Sequence, residues 1–214
     1  MKKIFSLISA FAIILSVSAQ NDKMLKAMTG PVSGLDSIHT IEGWTAAANQ
    51  FQRIADAEKT EWLPYYYAAL SNVMSGLMTG GNQGDKTDPL ADKAEALINK
   101  ADELKKNNAE IWIVKKMITN LRMQADPMTR WQTYVPLGAE ALAKAKSIDA
   151  NSPRIFLLEG QDKFFTPEEF GGSKAEAKKM FETAVVKFSE VKPESPIHPQ
   201  WGLTQAKYFI TLAK

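Results

Sequence analysis

Residues 94–116 read AEALINKADELKKNNAEIWIVKK, and the spacing within them decides the fold. Ala94, Ile98 and Ala101 fall on one helical face in the order small, large, small. Small residues let a neighbouring helix come close, and the large one fills the space between the two backbones. The pattern returns as Gly138, Leu142 and Ala145 and again as Ala177, Phe181 and Ala184, and Ala47, Phe51 and Ile54 approximate it. Recurrence of this kind predicts stacked helix hairpins, each burying its apolar face against the next.

Downstream of the triplets, aromatic residues keep register. Ala101 leads to Trp112, Ala145 to Phe156 and Ile54 to Tyr65 at one constant interval. Four residues beyond the aromatic stands a small residue in two cases, Ala69 and Gly160, and a lysine in the third, Lys116. The triplet with its following aromatic resembles a tetratricopeptide repeat, in degenerate form, over roughly residues 42–213. Lys116 departs from that pattern, as does Ser195 after Ala184. The stretch NSPRIFLLEG at 151–160, followed by FFTPEEFGGSKAEA at 164–177 and Pro199-Gln200-Trp201-Gly202, is similar to secreted tetratricopeptide-like proteins of Gram-negative bacteria. The resemblance implies an all-α fold, an α-α superhelix or solenoid of helix hairpins with irregular loops. It implies no particular chemistry.

Apolar residues at three- and four-residue spacing predict helices over 42–57, 61–79, 89–106, 109–125, 136–148, 153–164, 173–190 and 199–213. A short helix near 22–29 and one more turn over 127–133 are added to these. Strand alternation and hairpin turns of the Asn-Gly type are nearly absent. Asp126-Pro127 fits an N-cap followed by proline at the first helical position, and Pro136 and Pro153 are placed to start helices in the same way. Ser173 and Glu176 form a capping box, and the proline-rich tract from Pro193 to Pro199 reads as a connector.

The first residues bear on compartment. Lys2 and Lys3 precede a short apolar run, and Val17-Ser18-Ala19 puts small residues at the positions a signal peptidase reads. The expectation is a signal peptide over 1–19, an N-terminal segment over 20–41, and a single helical domain over 42–214 in the periplasm or outside the cell. The run is shorter than the ~20 residues that span a bilayer, so no stable membrane insertion is expected after cleavage. Removing 1–19 takes two lysines from the 26 basic residues and leaves them balanced against 24 acidic ones. No basic tract remains, which argues against nucleic acid as a partner. The chain has no cysteine, so neither disulfides nor thiolate metal sites are available.

No catalytic constellation stands out. Thr79–Thr87 resembles a phosphate loop in composition alone, since no strand precedes it and Gly-Lys-Ser/Thr does not open a helix. Asp85, Asp88 and Asp92 do not match an EF-hand loop, and Asp88 suits the N-cap of a helix starting at Pro89. Glu168 and Glu169 are adjacent and therefore cannot face each other across a cleft. His39 and His198 lack ligand spacing. The sequence thus points away from an enzyme and calls for no cofactor and no metal.

What remains is binding. The intervals from Tyr65 to Ala94, Trp112 to Gly138 and Phe156 to Ala177 exceed those of a standard repeat, so insertions gather along one edge. They mark either a binding face or loops that tolerate length. Trp131 and Tyr134 fall in the second insertion, where they either anchor a partner or cap the core. The first reading is a protein- or peptide-binding scaffold whose concave face carries Tyr66, Asn72, Lys116, Asn120 and Gln161. The alternative is a small-ligand-binding protein with a pocket beneath residues 79–90 and 126–136.

Overall fold

The computed structural model describes residues 22–214. The predicted signal peptide lies outside them. Every regular element among the described residues is helical: α1 over 22–33, α2 (Ile41–Ala57), α3 (Trp62–Thr79), α4 (Gly84–Leu104), α5 (Ala109–Ala125), α6 (Pro127–Ile148), α7 (Pro153–Phe165), α8 (Lys174–Glu190) and α9 (Leu203–Leu212), with 3-10 turns at Leu35–Ser37 and Glu168–Phe170. The chain is an all-α superhelix. Side-chain caps start α2 (Thr40 accepting from the Gly43 N–H), α5 (Asn108 from Glu110), α6 (Asp126 from Thr129) and α8 (Ser173 from Glu176). Each supplies an acceptor for an N–H that the helix itself cannot satisfy.

Consecutive helices pack in order from α2 to α6 and from α7 to α9, and α3 also reaches α5; the sparsest sequential contact is α6 with α7. The predicted triplets lie in these interfaces. Ala94, Ile98, Ala101, Ala177, Phe181 and Ala184 are fully buried. Gly160 shows why the position after the aromatic must be small. A β-carbon there would stand 2.6 Å from Cε1 of Phe181, so α7 and α8 approach at that point only because it is glycine. In the middle repeat the sizes are exchanged. Lys116 takes the small position, and a β-carbon on Gly138 would lie 3.1 Å from its Nζ. The ammonium is satisfied by Asn120 Oδ1 at 2.7 Å and Asp162 Oδ1 at 2.9 Å, which makes a buried lysine tolerable. We expect Ala177→Leu to cost about 1–3 kcal/mol by overpacking, and exposed Ala175→Leu to cost much less. Urea midpoints check this, and equal midpoints would contradict the register.

The first two insertions are largely helical: they lengthen α4 and α6 at their N-terminal ends, to 21 and 22 residues, whereas the third, between Phe165 and Lys174, is a connector with one 3-10 turn. Pro89 and Pro136 therefore sit inside helices, contrary to the expected starts at 89 and 136. Pro136 and Gln132, whose carbonyl loses a partner to it, are both exposed, so water can serve that carbonyl. Asp88 is accordingly not an N-cap. It forms a two-pronged pair with Arg130, at 2.6 and 2.8 Å, which joins the extensions of α4 and α6 and holds the Asp88 carboxyl below its ordinary pKa.

Beyond α8 the chain returns across the first helices. Residues 191–202 are non-helical, so α9 begins at Leu203 and not near 199. Tyr67 donates its hydroxyl to the Ile197 carbonyl at 2.9 Å, and the Trp201 indole N–H donates to the Tyr66 oxygen at 2.7 Å. Asp36, in the turn after α1, accepts from the Gly202 N–H and the Thr204 hydroxyl at the start of α9. The two ends of the superhelix are thereby tied together.

Candidate functional site

This closure settles where several proposed contacts lie. Tyr66 is fully buried. Its hydroxyl donates to Glu110 Oε2 at 2.9 Å while accepting from Trp201, and Glu110 also binds Arg154 at 2.9 Å. Burial, and then the Glu110 charge, push the Tyr66 phenol well above its ordinary pKa, so it remains a neutral donor. Asn72 is buried and donates to the Ala68 carbonyl. With Lys116 also interior, three of the five residues assigned to a concave face present no side chain to a partner, and Tyr66 is covered by the protein's own C-terminal segment. Asn120 and Gln161 are half-buried, Asn120 holding Lys116.

The surface that does open lies on the other side of α5. α4 and α6 both pack on α5 and approach each other at the Asp88–Arg130 pair, and between them lies a cleft of about 250 Å³. Its floor is one stripe of α5: Trp112, Lys115, Ile118, Thr119 and Arg122. One wall is Glu95, Ile98 and Asn99 of α4, and the other is Tyr134, Leu137, Glu140 and Ala141 of α6. Buried Ile98, Ile118 and Ala141 make the depth apolar, and charged groups gather at the rim. Lys115 Nζ rests 4.5 Å from the centre of the Trp112 ring and 3.1 Å from Asp102. Arg122 reaches Asp92 at 2.8 Å and Glu95 at 2.6 Å. Two of the three aspartates considered as ion ligands are thus paired with arginines.

Trp131 and Tyr134 belong to the extended helix α6, not to a loop. Tyr134 lines the cleft, whereas Trp131 does not and is 52% exposed. Met128, Val135 and Leu137 are exposed beside it, so the first turns of α6 present an apolar surface to solvent. Helix periodicity places Trp131 in line with Gly138 and Ala145, toward the core. It remains exposed because no helix covers that overhang.

Sequence reading missed the floor. Trp112 was legible as a repeat aromatic, and Lys115 and Arg122 were not singled out. The available signal was the stripe Trp112, Lys115, Thr119, Arg122 at three- and four-residue steps along a helix otherwise apolar on most sides.

No protein-family model matches the chain, and no curated protein matches its sequence. Among solved structures, the HusA haemophore from Porphyromonas gingivalis matches 88% of this chain and 92% of its own, with a TM-score of 0.77 and 30% sequence identity. The chain belongs to the HusA haemophore family. The likeness to HusA extends over nearly the whole fold of both proteins, and so includes more than any single helix hairpin. Among the described residues no helix is long and apolar enough to cross a membrane.

Proposed function

We propose that this protein is a non-catalytic, exported carrier of a small, flat, largely apolar ligand of the haem or porphyrin class, held in the cleft between α4, α5 and α6. The observation that carries the reading is an aromatic-bearing apolar cleft with a charged rim on a chain of the haemophore family. The cleft is smaller than the ~300–1,000 Å³ of sites that enclose drug-sized ligands. A porphyrin would therefore be seated by one edge, with the rest of its face open. The residues fit such a cargo: Trp112, Ile118 and Leu137 suit the ring, and Lys115 and Arg122 suit acidic substituents. Tyr134 is the lining residue of a type that can ligate iron, whereas His198 stands against Trp62 and His39 lies before α2.

A peptide-binding scaffold built on tetratricopeptide-like hairpins, with its groove on the first helices, has less support. Three of the five residues assigned to that groove are interior, and the C-terminal segment lies across α3. Titration of the mature protein with hemin, followed by visible absorbance and tryptophan quenching, tests the carrier reading. Saturable one-site binding that weakens in Tyr134→Ala supports it, and absence of any spectral change would sink it. Trp131→Ala should shift stability by only about 0.5 kcal/mol, the range of surface positions. It should nevertheless reduce hemin capture if the apolar overhang of α6 continues the binding surface. A drop in melting temperature typical of a buried tryptophan would show instead that Trp131 caps the core.

A further inference from the structure

The two cations of the α5 stripe indicate which ligands the site prefers. Lys115 and Arg122 stand two turns apart on α5, about 10 Å along the axis at the rise of an α-helix. Both are held in place: the lysine side chain is 21% exposed and lies over Trp112, and the arginine side chain is 16% exposed. The carboxylates that bind Arg122 are far more open, Asp92 at 70% and Glu95 at 54%. Pairs with such exposed partners contribute little, because water and salt screen them. A ligand carboxylate can therefore exchange with Asp92 or Glu95 on the guanidinium fork at small cost, and the planar fork favours a two-pronged bond. Lys115 has three donor hydrogens, and Asp102 at 3.1 Å accepts only one of them. Glu140 on the α6 wall repels an acidic arm turned the other way.

We infer that Lys115 and Arg122 form a two-point carboxylate clamp, which makes the cleft selective for flat apolar ligands bearing two acidic arms over their uncharged analogues. The inference rests on the carrier reading above, and the experiment separates the two. Metal-free protoporphyrin IX and its dimethyl ester are titrated, in one cosolvent, into wild type, Lys115→Gln, Arg122→Gln, the Lys115→Gln/Arg122→Gln double variant, and Asp92→Asn/Glu95→Gln. The diacid should bind wild type about tenfold or more tighter than the ester, as expected for charge-assisted hydrogen bonds. That preference, read as the ratio of diacid to ester affinity, should shrink in each single cation variant and vanish in the double. Asp92→Asn/Glu95→Gln keeps both cations, changes two exposed side chains and frees Arg122, so it should strengthen diacid binding. Equal affinity of wild type for diacid and ester, or an undiminished preference in the double cation variant, overturns the clamp and leaves the carrier reading standing. Failure of wild type to bind either porphyrin overturns both.

Discussion

Arg154→Ala is expected to lower the free energy of unfolding by about 3–5 kcal/mol, the range for removing one partner of a buried ion pair. Arg154 is 3% exposed and sits where three layers meet. It donates to Glu110 Oε1 at 2.9 Å, and its guanidinium lies 5.0 Å from the centre of the Trp201 ring and 5.5 Å from that of Phe188. It thus links α5, α7, α8 and the C-terminal segment. Truncation leaves the Glu110 carboxylate, itself on a mostly buried side chain, with Tyr66 as its remaining named donor, and removes the aliphatic and planar packing of the arginine as well. The α6–α7 junction is sparse in direct contact, so polar links across it carry more of the coupling between the two halves. The pair need not be favourable in itself. Arg154→Met combined with Glu110→Gln should recover much of the loss, because the uncompensated charge is gone. Urea unfolding of the three proteins checks this. A loss below about 1 kcal/mol for Arg154→Ala would mean that the carboxylate finds water instead.

The second large effect is expected at Trp201. Replacing it with alanine should cost about 3–5 kcal/mol, as for other buried large aromatics. Trp201 is 5% exposed, and its N–H is the donor to Tyr66. The residue after it, Gly202, adopts φ +110° and fits tightly against Phe188, so the chain turns sharply into α9 just where the indole is anchored. Loss of the anchor should loosen the segment from Ile197 to Ala206 over α3, and limited proteolysis should cut near residues 191–200 faster than in wild type. The cleft residues lie on α4, α5 and α6, so hemin affinity, measured well below the melting temperature, should be unchanged. If Trp201→Ala abolished hemin binding while the protein stayed folded, the ligand site would have to be placed on the covered side of α3, and the cleft assignment would fall.

The residues themselves show how much of this was legible beforehand. The triplets and their aromatics placed the helix interfaces correctly because buried packing imposes a short-range rule: two helices approach only where side chains permit it. Gly160 against Phe181 is that rule in one contact. Lys116 seemed a departure only because its compensation, Gly138, sits on the partnering helix, and its charge partner, Asp162, lies on a third. The first two insertions were recognised as surplus residues but misassigned to loops, whereas the third does lie in a connector. Proline at 89 and 136 suggested helix starts, and local rules do not reveal that an exposed helix can carry proline when water serves the orphaned carbonyl.

By itself, then, the sequence determined that the chain is helical, where its repeating faces are, and that no cysteine is available to it. These follow from periodicity and composition, which act over one or two helical turns. The tertiary structure decided which faces remain for a ligand. Tyr66 and Asn72 were assigned to a concave binding face, yet both are buried, and the C-terminal segment returns across α3 with the Trp201 indole donating to the Tyr66 oxygen. Trp112 read as a repeat aromatic, and nothing in the repeat pattern singled out Lys115 or Arg122. They form a floor because α4 and α6 stand on either side of the same stripe of α5. Exposure is a property of how distant elements cover one another, and no local pattern in the chain encodes it.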